Sequence, residues 1–266
     1  MGLITSNTII LPEKNEKLES FGFKFTGGTH ISKTMMSNEI TKLLTTNPPN
    51  ATVELYHSAI VNDNILLKPT QSTRQETYSR LRTLYGLDSK VPIFSIYREL
   101  VLIDPQSISL LSLLVSWARD PLLRASTSAI FQTSIGEVVK NESIQRAVLN
   151  VFPDKFSPAS LGTISRNTAS SWTQSRHLVG RVKKVRTRVI PKTTSFTMAL
   201  LLGYVCGYRG EHLFTSPFCR LLDLNAMDAQ NLATQAHREN LITFKNIGSI
   251  IEVSFHRYKQ YLEKFQ

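Results

Sequence analysis

Residues 107–119 constrain this chain more than any other stretch. As a helix, the segment has Leu110, Leu111, Leu113, Leu114, Val115 and Trp117 over most of its circumference, so it cannot lie on a surface with one face in water. Asp104-Pro105 ahead of it and Asp120-Pro121 behind it are start and stop signals. It is also too short for a bilayer. The longest strongly apolar stretch in the chain, residues 198–208, contains two glycines and falls well short of the roughly 20 residues a span needs. Segment 107–119 is therefore expected as a central helix wrapped by others, in a chain whose 266 residues suit two compact domains or one large one.

The rest of the sequence reads as that wrapping. Met36, Ile40, Leu43 and Leu44 form one helical face, stopped by Asn47-Pro48-Pro49-Asn50. Segment 52–62 places Val53, Tyr56 and Ile60 inward. Thr73-Arg74-Gln75-Glu76 reads as a capping box opening a helix that buries Tyr78, Leu81, Leu84 and Tyr85 and stops at Gly86. Helices are further expected over 93–102, 122–132 and 134–150, with a boundary at Phe152-Pro153-Asp154. Beyond it, Ser157-Pro158 opens a short helix through Ile164, and a second helix covers 167–179. Segment 182–190 is open between helix and strand. Lys192-Thr193-Thr194-Ser195 leads into an apolar helix at 196–208, and Ser216-Pro217 starts a short one to Leu222. A helix from Asp228 to near Asn240 then runs into strands at 241–245 and 249–255, joined by Asn246-Ile247-Gly248. A helix leading directly into a hairpin is the closing unit of a winged helix. The expected fold is mainly α: an arm over 1–20, a helical bundle or helix-turn-helix-like domain over 21–152, and a basic, winged-helix-like domain over 153–266 with a small terminal β-hairpin.

The charge is concentrated. The chain carries 31 Lys and Arg against 20 Asp and Glu, a formal charge of +11. From Lys155 to Gly210 there are ten Lys or Arg and no acidic residue, which leaves 21 basic against 20 acidic residues elsewhere. A polyanion suits such a segment, and nucleic acid is the commonest one. With Trp172 and Val179 inward, Ser170, Thr173, Gln174 and His177 point outward. Asn167 and Thr168, at the start of the expected helix, would offer free amides to phosphate. Arg166, Arg176, Arg181, Lys183, Lys184, Arg186, Arg188 and Lys192 supply charge along a phosphate strand. Arg74, Arg80 and Arg82 form a weaker second patch in which Glu76 intervenes.

Signals for chemistry are absent. No two histidines share the i, i+4 spacing with an acidic neighbour that a zinc protease needs, and no phosphate-binding or nucleophile-elbow glycine motif occurs. Cys206 and Cys219 lie in apolar surroundings and read as buried free thiols. No catalytic residue, metal ligand or cofactor is expected. The first residues lack the pattern of a secretory signal, so a cytoplasmic location is expected.

Gly27-Gly28, Ser72-Thr73-Arg74, Arg80-Leu81 and Leu84, with the apolar run at 108–126 and Thr193-Thr194 before Phe196, resemble the BrxA family of BREX bacteriophage-defence systems over roughly residues 22–224. The resemblance implies a mainly helical, non-enzymatic double-stranded DNA-binding protein acting beside a methyltransferase and an ATPase. The basic stretch and the final helix and hairpin match no family motif. Two alternatives stay open: a protein-interaction scaffold whose basic face docks an acidic partner subunit, and an RNA-binding protein.

Overall fold

A computed structural model of the chain describes residues 9–247 and 250–265. It is mainly helical, with two small antiparallel sheets. The segment expected as an arm already contains α1 (Glu16–Phe21), opened by the Asn15 side chain accepting from the Leu18 amide; residues 1–8 lie outside the described residues. α2 (Ser37–Thr46), α3 (Val53–Val61), α4 (Gln71–Tyr85) and α5 (Pro92–Ile103) follow. α4 begins earlier than expected. Its cap is Thr70, which accepts from the Thr73 amide, while Glu76 pairs with Lys33 and Arg80 instead of closing a capping box.

α6 (Ile108–Arg119) is the central helix. Leu111, Leu113, Leu114, Val115 and Trp117 are all fully buried, and α2, α4, α5, α10 (Pro158–Gln174) and α11 (Thr193–Val205) pack around it. Each such side chain contributes about 1.5–3 kcal/mol on leaving water. The next expected helix is split into α7 (Pro121–Ala125) and α8 (Thr127–Phe131) at Ser126. The Ser126 hydroxyl donates to the Leu123 carbonyl and accepts from the Trp172 indole, so the helix breaks where a buried tryptophan needs a partner. Segment 134–150 is not one helix either. Gly136, at φ +91°, turns the chain into β1 (Val138–Val139), and only then does α9 (Asn141–Val151) begin.

In the second half, α10 is continuous where two helices were expected. The hydroxyls of Ser165, Thr168 and Thr173 bond back to carbonyls of their own helix, and so do not break it. After α10 come β2 (Leu178–Val179), where the second expected helix was to end, and β3 (Lys184–Arg186), a strand within the segment left open; the two pair as a hairpin. α11, α12 (Pro217–Arg220) and α13 (Ala226–Arg238) lead to β4 (Thr243–Ile247), β5 (Ile250–Ser254) and α14 (Lys259–Leu262). The terminal helix and hairpin thus occur in the expected order, with Gly248 and Ser249 of the connection outside the described residues. The turn at 152–154 does not divide two cores. One buried cluster runs from Leu18 to Leu262, and Trp117 packs edge-on against Phe218 with centroids 5.1 Å apart.

A single carboxylate organises the junction between the halves. Asp120 is 1% exposed; Oδ1 accepts from the amides of Leu122 and Leu123, and Oδ2 from those of Thr29 and His30. His30 Nδ1 lies 2.9 Å from Oδ2, and His30 Nε2 lies 2.8 Å from Ser171 Oγ on α10. Gly28 lets the loop approach, since a Cβ there would stand 2.6 Å from Leu122 Cδ1. Burial pushes the Asp120 carboxyl up, but the His30 charge and hydrogen bond and the backbone N–H groups outweigh it and hold the group at about 2. Above about pH 4 that depression stabilises the fold, and the contribution fades as pH falls toward 2. Asp120→Ala, which strands His30, is expected to cost about 3–5 kcal/mol in urea unfolding. Ser171→Ala is expected to cost about 1–3 kcal/mol. Equal, small losses would contradict this role for Asp120.

Candidate nucleic-acid interface

The basic segment belongs to a compact unit. α8, β1, α9, α10, β2 and β3 follow one another, and the strands pair in the order β1-β3-β2, with Val138 opposite Val185 and Val179 opposite Val185 on the other side. Helix, strand, two helices and a hairpin follow in that order, with the third strand between the other two. We refer to the 180–183 turn that joins β2 to β3 as the wing. Gly180, at φ +102°, makes that turn: a Cβ there would stand 2.1 Å from the Lys183 carbonyl oxygen. Lys184 Nζ donates back across the turn to the Gly180 carbonyl at 2.8 Å. Arg181, Val182 and Lys183 project from it, Val182 being 91% exposed.

α10 presents a narrow solvent face. At 100° per residue, Ala159, Gly162, Thr163, Arg166, Ser170 and Thr173 share one side, opposite buried Leu161, Ile164, Thr168 and Trp172. Ser170 and Thr173 are half-buried and face outward as expected, and Arg166 is exposed, steadied by Thr163 Oγ1 at 3.0 Å. Gly162 and Thr163 were not singled out in the sequence; reading α10 as one continuous helix brings them onto the face.

Four expected contact residues serve the fold instead. Thr168 is fully buried, and neither it nor Asn167 stands at a helix start, so neither offers a free amide. Asn167 Nδ2 donates to the His30 carbonyl. Gln174 accepts from the Ser37 amide and donates to Thr34 Oγ1, holding the 28–37 loop against α10. His177 points inward. Its Nε2 donates to the Leu221 carbonyl at 2.7 Å, and Nδ1 is 2.9 Å from Ser175 Oγ. Val179, expected inward, is 53% exposed, because it sits on a strand rather than a helix.

The charges divide in the same way. Arg176, Arg181, Lys183 and Arg188 are exposed, and Lys184 is half-buried. Arg186 is 2% exposed: it pairs with Asp223, donates to the Thr187 carbonyl and stacks over the Phe131 ring at 4.7 Å. Lys192 turns away to Gln106 and Asp104. Phe131, Trp172 and His177 pack edge-on or tilted against one another, with the Arg186 guanidinium over the Phe131 ring, in one cluster at the base of the hairpin. With Asp223 also accepting from the Val189 amide, residues 221–223 clamp the wing to the C-terminal helices. In the second patch, Arg74 is spent on the carbonyls of Val61 and Lys68, and Arg80 faces Glu76 at 3.8 Å, which leaves Arg82 exposed.

Asp120, His30 and Ser171 have the succession of a nucleophile triad, but the site is closed. All three side chains are fully buried or nearly so, and the Ser171 hydroxyl donates to the Asn167 carbonyl while accepting from the Met35 amide. Its proton is directed away from the base. Burial pushes the Cys206 and Cys219 thiols up to about 12, so neither is a nucleophile at neutral pH. Among the described residues, no three of His, Cys, Asp and Glu converge on a metal position, and no helix is long and apolar enough to cross a membrane.

No family model matches the chain, and no curated protein matches it. Several of the residues that carry the BrxA resemblance serve the fold: Gly28 packs on Leu122, Arg74 binds carbonyls, and Leu81, Leu84 and Thr194 are buried, whereas Ser72 is exposed.

Burial is the main cause that pushes His177 down to about 4, against the raising influence of the Asp223 carboxylate, so the ring is neutral in the fold. Unfolding exposes it to protonation near its ordinary 6.5. Thermal stability is expected to fall as pH drops from about 6.5 to about 4, and His177→Gln should flatten that slope even where its own melting temperature is lower. Parallel pH profiles for the two proteins would rule His177 out as the cause.

Proposed function

We propose that the protein binds double-stranded DNA without catalysing a reaction on it, α10 lying in the major groove and the 180–183 wing on the neighbouring backbone. The observation that carries this reading is the placement of a small-residue helix face beside an outward-facing cationic turn. Gly162, Ala159 and Ser170 leave the α10 backbone free to approach closely, and Arg166 supplies guanidinium donors at that face, the Thr163 and Thr173 hydroxyls giving their protons to the Ala159 and Ala169 carbonyls and keeping acceptor lone pairs. A major groove about 12 Å wide admits an α-helix. Arg176, Arg181, Lys183, Lys184 and Arg188 flank the face and would neutralise phosphates. Glu137, exposed just before β1, marks one limit of the positive surface.

The resemblance to BrxA supports the same ligand. It extends the proposal to a place in a phage-defence system of the cytoplasm, beside a methyltransferase and an ATPase. An RNA-binding role is the weaker alternative, because Trp172, the aromatic within the basic run, is fully buried and cannot stack on a base. A scaffold that docks an acidic subunit through the same cations is the rival that the charge-removing variant separates.

In fluorescence anisotropy with duplex DNA at rising salt, wild-type affinity is expected to fall steeply. Replacing Arg181, Lys183 and Arg188 together by Gln should weaken binding alike across sequences and reduce the slope of log K against log salt by about 3, near 0.9 for each phosphate that is no longer neutralised. No binding of the wild type at low salt would sink the DNA reading. A variant that binds DNA normally but loses a protein partner would favour the scaffold.

A further inference from the structure

The C-terminal helices, like the basic unit, end in a helix that runs into a hairpin, here with a two-stranded sheet and no counterpart of β1. α11, α12 and α13 run into the β4–β5 hairpin, α13 packing on α11 and β4 on α13. Ala229, Ala233 and Ala236 form the buried side of α13, small enough to seat it closely. On the opposite side, Met227, Gln230, Asn231, Thr234 and Arg238 fall within one 100° arc, all exposed. Among the described residues, the side chains of Gln230, Asn231 and Arg238 make no hydrogen bond or ion pair. The nearby acids are occupied: Asp228 accepts from Asn225 Nδ2, Glu239 from Thr193 Oγ1 and Gln235 Nε2, and Asp223 from Arg186 and the Val189 amide.

This face differs in chemistry from the wing. It has one cation and two unengaged primary amides, so it is poor at collecting phosphates and well equipped for base edges. An amide places donor and acceptor side by side and matches N6 and N7 of adenine. A guanidinium matches O6 and N7 of guanine, and a threonine methyl meets the methyl of thymine. A groove of about 320 Å³, lined among others by Arg188, Ile190, Asn231 and Gln235 and by the engaged carboxylates Asp223 and Asp228, lies between this helix and the basic segment. The bonds of His177, Arg186 and Val189 to residues 221–223 fix the two units against each other.

We infer that α13 is the sequence-reading element of the protein: Gln230 and Asn231 select adenines and Arg238 a guanine in a major groove, while the cations around the wing supply affinity. This rests on the double-stranded DNA reading above. The test is selection of bound duplexes from a randomised pool with the full chain, followed by anisotropy on the enriched and a scrambled duplex. The wild type is expected to enrich a motif containing adenine positions. The double variant Gln230→Ala, Asn231→Ala should lose on the order of tenfold discrimination per amide at those positions, with scrambled-duplex affinity and salt slope unchanged. Both positions are exposed, and an unchanged melting temperature verifies the fold. Binding without any enriched motif, or a motif that survives the double variant, overturns the inference and leaves the DNA reading standing. A motif that disappears with Arg166→Gln alone, the α13 variant retaining it, assigns reading to α10 and overturns it too. A wild type that binds no duplex at low salt overturns the DNA reading itself, and this inference with it.

Discussion

Asp120 holds the architecture together because it is both a helix cap and a tether. The proline after it starts α7, and its two oxygens satisfy amides at that start and in the loop after Gly28. Through His30 it reaches Ser171, in the last turn of α10. A buried carboxylate is costly unless its lone pairs are filled, and here they are filled from segments some 90 residues apart. The position of α10 against the central helices follows from that requirement. So does the orientation of the solvent face that α10 keeps.

A second polar junction does comparable work just beyond Ser171, at the C-terminal end of the same helix. β2 and β3 are too short for their ladder alone to hold a hairpin in place. The edge-on cluster of Phe131, Trp172 and His177 with the Arg186 guanidinium supplies the rigidity instead, and residues 221–223 bond to His177 and Arg186. The wing turn therefore stands on a dry, hydrogen-bonded base while its own side chains remain in solvent. The basic run serves two ends within a few residues: Arg186 is interior, whereas Arg181, Lys183 and Arg188 face out.

Much of the helical layout was legible in the sequence, since apolar periodicity and Asp-Pro or Ser-Pro signals report directly on burial and helix starts. α6, α5 and the Ser157 cap of α10 are examples. What escaped has identifiable physical causes. β1 has two residues, too few for any alternation to show. The continuity of α10 was hidden by its Ser, Thr and Asn, which look like breakers until their hydroxyls are seen bonding within the helix. The three-stranded sheet depends on β1 pairing with β3 across α9 and α10, a pairing with no local signature.

The basic segment was legible in the sequence, but which of its side chains reach solvent was not. Charge marks a segment, but a guanidinium that meets a distant carboxylate reads the same in sequence as one in water. Asp223 lies 37 positions from Arg186, and nothing near Arg186 announces it. Likewise Asn167 and Gln174 look like DNA contacts because amides suit base edges, yet they suit a loop's carbonyl and amide equally well. The separation of interior from exterior charge has an evolutionary consequence. Because Arg186 is satisfied from within, the residues at 181, 183 and 188 can vary in sign and size without disturbing the fold. The strength of the outer surface is thus a property that selection can tune independently of whether the protein folds.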